Sequence, residues 1–260
     1  MKTSGSEEFV KNQEEMAKAI SDSRDEGETN FYSWFNRTGS IEENTIRGFW
    51  DFSYYFASQE ICRYIETPEE KTCLEIGYGG GRLLNASRNF FNHSIGVDVH
   101  PYSEEVRTHL LNQKPNEDFV LYKLSSDKLP IEEATVDFAY SFIVIQHFYS
   151  YEIFANYLRE LQRVVVPGGM ICLYFADLRW YPGWFDRKWI KAFFRGRIEE
   201  SAPPDQISAY NTLWMTCSQV RSLMKQCSFT PVFQKRSYKS IPDGYPTRKG
   251  QQTGIMALKN

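Results

Sequence analysis

The chain has 260 residues, a formal net charge of −3, 42% hydrophobic and 16% aromatic residues. That size suits one large domain, or one domain with an appended piece. The near-balanced charge excludes wholesale nucleic-acid binding, Cys62, Cys73, Cys172, Cys217 and Cys227 lack the spacing of a disulfide framework or zinc site, and no apolar run approaches the ~18 residues of a membrane span.

Residues 1–30 carry eight acidic and four basic side chains with almost no apolar periodicity. They predict a loose helix or disorder, with no secretory signal, and so a cytoplasmic protein. His93, His100, His109 and His147 form no ligand pattern, and no metal is expected. From residue 31 the character changes: Phe31, Tyr32, Trp34, Phe35, Phe49, Trp50, Phe52, Tyr54, Tyr55 and Phe56 crowd one stretch. Residues 31–70 read as cap helices, whose rings either wall a binding site or pack the flank of the sheet that follows.

Cys73 to Leu84 reads as a buried strand, a glycine loop and a helix start. Glycines accept φ > 0 and let a ligand press on the backbone, and the helix that follows offers unpaired N–H groups. Gly77 and Gly79 fit a dinucleotide fingerprint, but its third glycine would fall on Arg82. The pattern is instead Glu-x-Gly-x-Gly-x-Gly on Glu75, Gly77, Gly79 and Gly81. A second strand, Ser94–His100, carries Asp98 about twenty residues beyond the loop, where a βαβ unit places an acid on a ribose diol. The competing role for Asp98 is a helix cap. A third strand, Phe119–Leu124, precedes Ser125, Ser126 and Asp127. Thr135–Phe142 reads as a fourth strand, and Pro167-Gly168-Gly169 as a sharp turn from a helix into a fifth.

Taken together over residues 72–175, these segments resemble the class I S-adenosylmethionine-dependent methyltransferases. The resemblance implies an α/β, Rossmann-like three-layer sandwich, with a seven-stranded, mostly parallel sheet and an antiparallel last strand. It implies S-adenosyl-L-methionine as cofactor, with S-adenosyl-L-homocysteine as product. The implied contacts are Glu75, Gly77, Tyr78, Gly79 and Gly81 in the loop, Asp98 and Val99 after the second strand, Ser125, Ser126 and Asp127 after the third, and Ser141 and Phe142 after the fourth. The family's acid before a Leu-Pro pair is replaced by Ser125, with Asp127 two residues later. N-terminal helices of such enzymes close over the cofactor and help form the substrate cavity.

An insertion, 176–215, follows the fifth strand. Within it, residues 179–197 place Phe185, Trp189 and Phe193 every fourth residue, with Ile190 and Phe194 beside them, and Arg187, Lys188, Lys191 and Arg195 largely opposite. This amphipathic, basic helix reads as a lid over the substrate pocket, as a contact with a membrane or lipid-linked substrate, or as a site for an anionic or sugar substrate. Residues 216–224 read as a helix capped by Thr216 or Ser218. Phe229–Tyr238 and Gly254–Lys259 read as the last two strands, joined by a loop over 241–252. Domain limits follow: a 1–30 segment, then a 31–260 methyltransferase domain.

His147 is the candidate general base, because it follows the fourth strand and imidazole titrates near neutrality. Asp177 and Tyr174 are alternates. Substrate candidates are Trp50, Tyr54, Tyr174, Asp177 and Trp180. The expected activity is metal-independent methyl transfer to a small molecule or sugar, at oxygen. The alternative is a catalytically silent cofactor-binding module. No Asn/Asp-Pro-Pro-Tyr/Phe run is present to grip a flipped base, which argues against nucleic acid as substrate.

Overall fold

A computed structural model describes residues 10, 11, 13–19, 21, 41–116, 118–183, 190, 192, 194–200, 211–238 and 249–260. Strand β1 (Thr72–Ile76) lies between β2 (His93–Asp98) and β4 (Val136–Ser141), with β3 (Phe119–Lys123) outside β2 and β5 (Val165–Asp177) outside β4. All of these pairs are parallel. Such strands are buried on both faces, and β1 and β2 read accordingly as unbroken buried runs. β9 (Lys249–Lys259) runs antiparallel to β5, and β8 (Phe229–Tyr238) pairs antiparallel with β9. This is the expected Rossmann-like sheet.

Helices cover both faces. On one lie α1 (Ile41–Tyr55), the short α2 (Gln59–Cys62), α3 (Arg82–Ser87) and α4 (Ser103–Gln113). On the other lie α5 (Tyr151–Val164) and α6 (Cys217–Gln226). The α5 sequence explains its placement: Ile153, Phe154, Tyr157, Leu158, Leu161 and Val164 recur at helical spacing and are all buried. Ser150 caps its start, accepting from the Ile153 amide. On α1, Asn44, Gly48, Phe52 and Tyr55 form the inward stripe. Phe52, Tyr55 and Phe56 pack with Phe138, Tyr140 and Tyr174 of the sheet, so these rings serve the flank. α6 is capped by Thr216, which accepts from the Gln219 amide.

Three expectations need correction. The sheet has nine strands among the described residues, because the insertion contributes β6 (Arg197–Glu199) and β7 (Leu213–Met215). β7 pairs parallel with Ala176 and Asp177 while β9 holds Ala176 from the other edge, so β7 occupies the edge of β5 that β4 vacates at Ser141. The Pro167-Gly168-Gly169 stretch is not a turn before the strand. β5 starts at Val165 and takes these residues as a bulge, with Gly168 at φ +78° and a register shift opposite Val136–Phe138. β9 begins at residue 249 rather than 254, so Gln252 belongs to a strand and not to the loop. Residues 13–19 are helical, one of the two expected alternatives, and Glu15 among them accepts from Tyr149. Residues 184–189, 191 and 193, which hold most of the expected amphipathic helix, lie outside the described residues, as do 22–40. No helix among the described residues is long and apolar enough to cross a membrane.

Candidate functional site

The chain runs from β1 outward through β2 and β3, then returns to the other side of β1 as β4. Ligands of such sheets bind at that reversal, outside the carboxyl ends of the strands. The glycine loop stands there. Gly77, Gly79 and Gly81 have φ of +77°, +52° and +80°, the left-handed region that excludes most side chains. A Cβ on Gly77 would also lie 2.2 Å from Val144 Cγ2, so the loops after β1 and β4 interlock at this point.

Two side chains from the end of β2 hold the loop. Asp98 Oδ2 accepts from the Gly79 amide at 2.7 Å, and Oδ1 accepts from the Val99 amide at 2.7 Å. His100 is fully buried; its Nδ1 accepts from the Tyr102 amide at 3.1 Å, and its Nε2 lies 3.0 Å from the Gly79 carbonyl. With Nδ1 accepting, the ring proton sits on Nε2 and is donated to Gly79. Both polar atoms of Gly79 are therefore engaged. Sequence reading missed His100, although its place two residues after Asp98 was visible.

Glu75 is buried on the α1 side of the sheet, with the Tyr140 hydroxyl donating to it at 3.2 Å. Burial pushes its carboxyl up to about 8, against the opposing pull of that hydroxyl and of Arg82. Arg82, the residue that breaks the dinucleotide fingerprint, pairs with Asp51 and donates to the Arg47 carbonyl at 3.3 Å. A Cβ on Gly48 would meet the Arg82 carbonyl at 2.4 Å, so α1 touches the start of α3 backbone to backbone.

Beyond β4 the chain is strained and then tied down. Ile143, β-branched, sits at φ +63°. A 3₁₀ turn, Ile145–His147, follows. The Gln252 amide donates to Gln146 Oε1, and Gln146 Nε2 donates to His147 Nε2 at 3.1 Å. Gln252 Oε1 is itself buried and has no partner. Thr212, just before β7, donates its amide to the Gln146 carbonyl and its hydroxyl to the Phe148 carbonyl, each at 2.7 Å. The insertion is thus fastened over the end of β4. Gln252 is a second residue that sequence reading missed, since it was placed in a loop.

Two contacts tie the N-terminal segment to residues that follow the strands. The Tyr149 hydroxyl donates to Glu15, and Ser21 shares a 2.8 Å hydrogen bond with Tyr102. Tyr149 follows β4 and Tyr102 follows β2, so the two ties fall on either side of β1 in the strand order.

A family profile described as a methyltransferase domain matches residues 74–173, which hold the loop, Asp98 and the strained turn. This part of the chain is a class I S-adenosylmethionine-dependent methyltransferase domain. Its cofactor is S-adenosyl-L-methionine. A sterol 4-C-methyltransferase of Caenorhabditis elegans is 26% identical over 44% of this chain and 34% of its own length. A probable S-adenosylmethionine-dependent methyltransferase of Mycolicibacterium smegmatis is 29% identical over 49% and 48%. The chain therefore spans at most about half the length of these curated relatives. Among solved structures, a methyltransferase of Methanosarcina mazei superposes with TM-score 0.59 at 16% identity, covering 78% of this chain and 97% of that one. A 1,6-didemethyltoxoflavin-N1-methyltransferase of Burkholderia thailandensis, solved with that compound and S-adenosylhomocysteine, gives 0.54 at 16% identity over 95% and 87%. At such identities these two show the fold.

The methyltransferase domain's residues fit the cofactor on this structure's own terms. Each Asp98 oxygen has spent one acceptor position on a backbone amide and retains another for a ribose hydroxyl. Ser125 and Ser126 are exposed after β3, and the Asp127 carboxylate accepts from Asn156 at 3.3 Å. The Ser141 hydroxyl donates to the Ile76 carbonyl at 3.0 Å, and Phe142 stacks on Tyr55 with ring centroids 4.4 Å apart. The Tyr78 ring is buried against Leu84 and Gly96, so only its backbone faces the loop.

The substrate candidates do not form one group. Tyr54 and Tyr174 flank Tyr55, with centroids at 5.0 and 5.1 Å. Tyr174 is fully buried, its hydroxyl has no partner, and burial raises it well above the usual phenol range. Trp50 is 48% exposed on the outer side of α1. Asp177 is fully buried and bound by Arg179 and by the Thr253 hydroxyl at 2.6 Å; burial raises its carboxyl, but these partners outweigh that and hold it below the ordinary value. Trp180 lies under the Arg236 guanidinium at 3.5 Å. Among the described residues, no three His, Cys, Asp or Glu side chains gather where a metal could bind.

Proposed function

We propose that the chain is an S-adenosylmethionine-dependent methyltransferase acting on a small molecule or sugar, at oxygen and without a metal. The observation that carries this reading is the glycine loop at the sheet's reversal point, held by Asp98 at Gly79. The cofactor supplies an electrophilic methyl group on sulfur. Glu75 and the backbone of Gly77, Tyr78, Gly79 and Gly81 hold its methionine part, Asp98 and Val99 its ribose, Ser125, Ser126 and Asp127 its adenine end, and Ser141 and Phe142 the floor.

On the acceptor side we assign the unpartnered Gln252 oxygen a role. A buried acceptor without a partner costs about 1–3 kcal/mol, and a neighbouring donor of the substrate, other than the hydroxyl that is methylated, recovers that cost by donating to it. His147 takes the hydroxyl proton, with the Gln146 amide first turning away from its Nε2. Thr212 and β7 of the insertion stand on this side, and α1 meets the start of α3 on the other. The related sterol methyltransferase supports a small-molecule acceptor.

Calorimetric titration with S-adenosylmethionine and S-adenosylhomocysteine tests the reading. We expect dissociation constants on the order of micromolar, lost in Asp98→Ala. Labelled-methyl transfer to phenols and hydroxylated sugars follows. One observation favours a second reading: His147 Nε2 is engaged and Asp177 fully bound, as expected of a domain that binds the cofactor without transferring. Binding without any methylated product selects it.

A further inference from the structure

The Asp98-x-His100 pair does more than end a strand. Asp98 takes the Gly79 amide and His100 donates to the Gly79 carbonyl, so one residue of the loop is gripped on both sides from β2. His100 Nε2 lies 3.7 Å from Asp98 Oδ2, so the two grips are adjacent. The imidazole is fully buried, packed against Tyr78 with centroids at 5.0 Å and tilted toward Tyr102 at 6.0 Å. Its other nitrogen accepts from the backbone of Tyr102, whose hydroxyl meets Ser21. A left-handed glycine loop has many conformations open to it. Two opposed hydrogen bonds to one peptide remove most of them before any ligand arrives, which saves that ordering cost on binding.

We propose that His100 is a positioning residue of the cofactor site: by donating to the Gly79 carbonyl opposite Asp98, it sets the glycine loop in its ligand-ready form. The inference rests on the cofactor reading above for its consequence, but not for its geometry.

Two amide side chains divide the imidazole's functions. His100→Gln places a donor where Nε2 stands and keeps the bond to Gly79. His100→Asn places an acceptor where Nδ1 stands, keeps the bond to Tyr102 and loses the bond to Gly79. Backbone hydrogen exchange of residues 77–82 is measured in the ligand-free proteins, and S-adenosylhomocysteine affinity by calorimetry. We expect exchange in His100→Asn to speed up and affinity to drop about tenfold, the size of one lost hydrogen bond, with both nearly restored in His100→Gln. Equal exchange and affinity in wild type and both variants would overturn the proposal and leave His100 as core filling. Equal loss in both variants overturns it too, since packing rather than the Gly79 bond then matters. If the wild type fails to bind S-adenosylhomocysteine, the cofactor reading falls, while the exchange measurement still decides whether His100 orders the loop.

Discussion

Single residues here carry opposite kinds of constraint. Gly77 is held by space and by backbone angle: its Cβ would overlap Val144, and its φ is +77°. Gly77→Ala is expected to weaken S-adenosylhomocysteine binding more than about tenfold, and adding Val144→Ala recovers only part, because the left-handed backbone still costs about 1–2 kcal/mol. Full recovery in the double variant would show that only the overlap matters. Glu75 is constrained by charge. Its carboxyl rises from an ordinary 4.5 to about 8 because burial disfavours the anion. Between those values the folded chain keeps a proton that the unfolded chain has released, so stability falls as pH rises through the window and levels off above about 8. Glu75→Gln has no proton to lose. Its stability advantage over wild type, read by urea unfolding at about pH 5 and about pH 8, is expected to grow with pH, and a constant difference would refute the assignment. Glu75, Gly77 and Asp98 were legible in the sequence because their spacing along the chain sets their positions. His100 and Gln252 were not. Their partners, Gly79 and Gln146, are chosen by the folded arrangement of strands, which leaves no mark in a short polar run.

Elements were legible where their length gave a period. α6 stands within two residues of its expected limits, and the aromatic stretch over 49–56 does form a helix end. β6 and β7 have three residues each, too few for any alternation to register, and the pairing of β7 with β5 exists only because β4 stops first. Thr212 tests whether that ribbon is firmly seated. Thr212→Val removes the hydroxyl bond to Phe148 and is expected to cost about 1–2 kcal/mol, with faster hydrogen exchange confined to 211–215 and 145–148. Exchange spread evenly over the sheet would deny the ribbon its local role. α1 depends on one close approach. Gly48→Val pushes a branched side chain into the Arg82 carbonyl and strains the Asp51–Arg82 pair. The loss is expected at about 1–3 kcal/mol, with weaker cofactor binding because Arg82 begins the helix after the glycine loop. Unchanged unfolding would mean that α1 shifts without cost.

Across the whole molecule, the mostly parallel sheet was legible in the sequence as strands alternating with helices, and the structure supplies the strand order. One buried cation then joins three elements far from the crevice. Arg88, at the end of α3, is fully buried and bonds Asp118 before β3 at 2.7 Å, with the Leu110, Lys114 and Asn116 carbonyls around it. Arg88→Met is expected to destabilise the fold by about 3–5 kcal/mol, measured by urea unfolding; a loss under about 1 kcal/mol would mean that Lys114 alone satisfies Asp118. The N-terminal segment, tied to Tyr149 at Glu15 and to Tyr102 at Ser21, acts on a different quantity. A ligand lying beneath a segment tied at both points would leave only when a tie opened, so the ties would set its residence time. Spent cofactor would then wait on that opening, and each round of turnover with it. Stopped-flow displacement of S-adenosylhomocysteine would read this as a faster off-rate in Tyr149→Phe, with the on-rate raised alongside and the equilibrium constant nearly still.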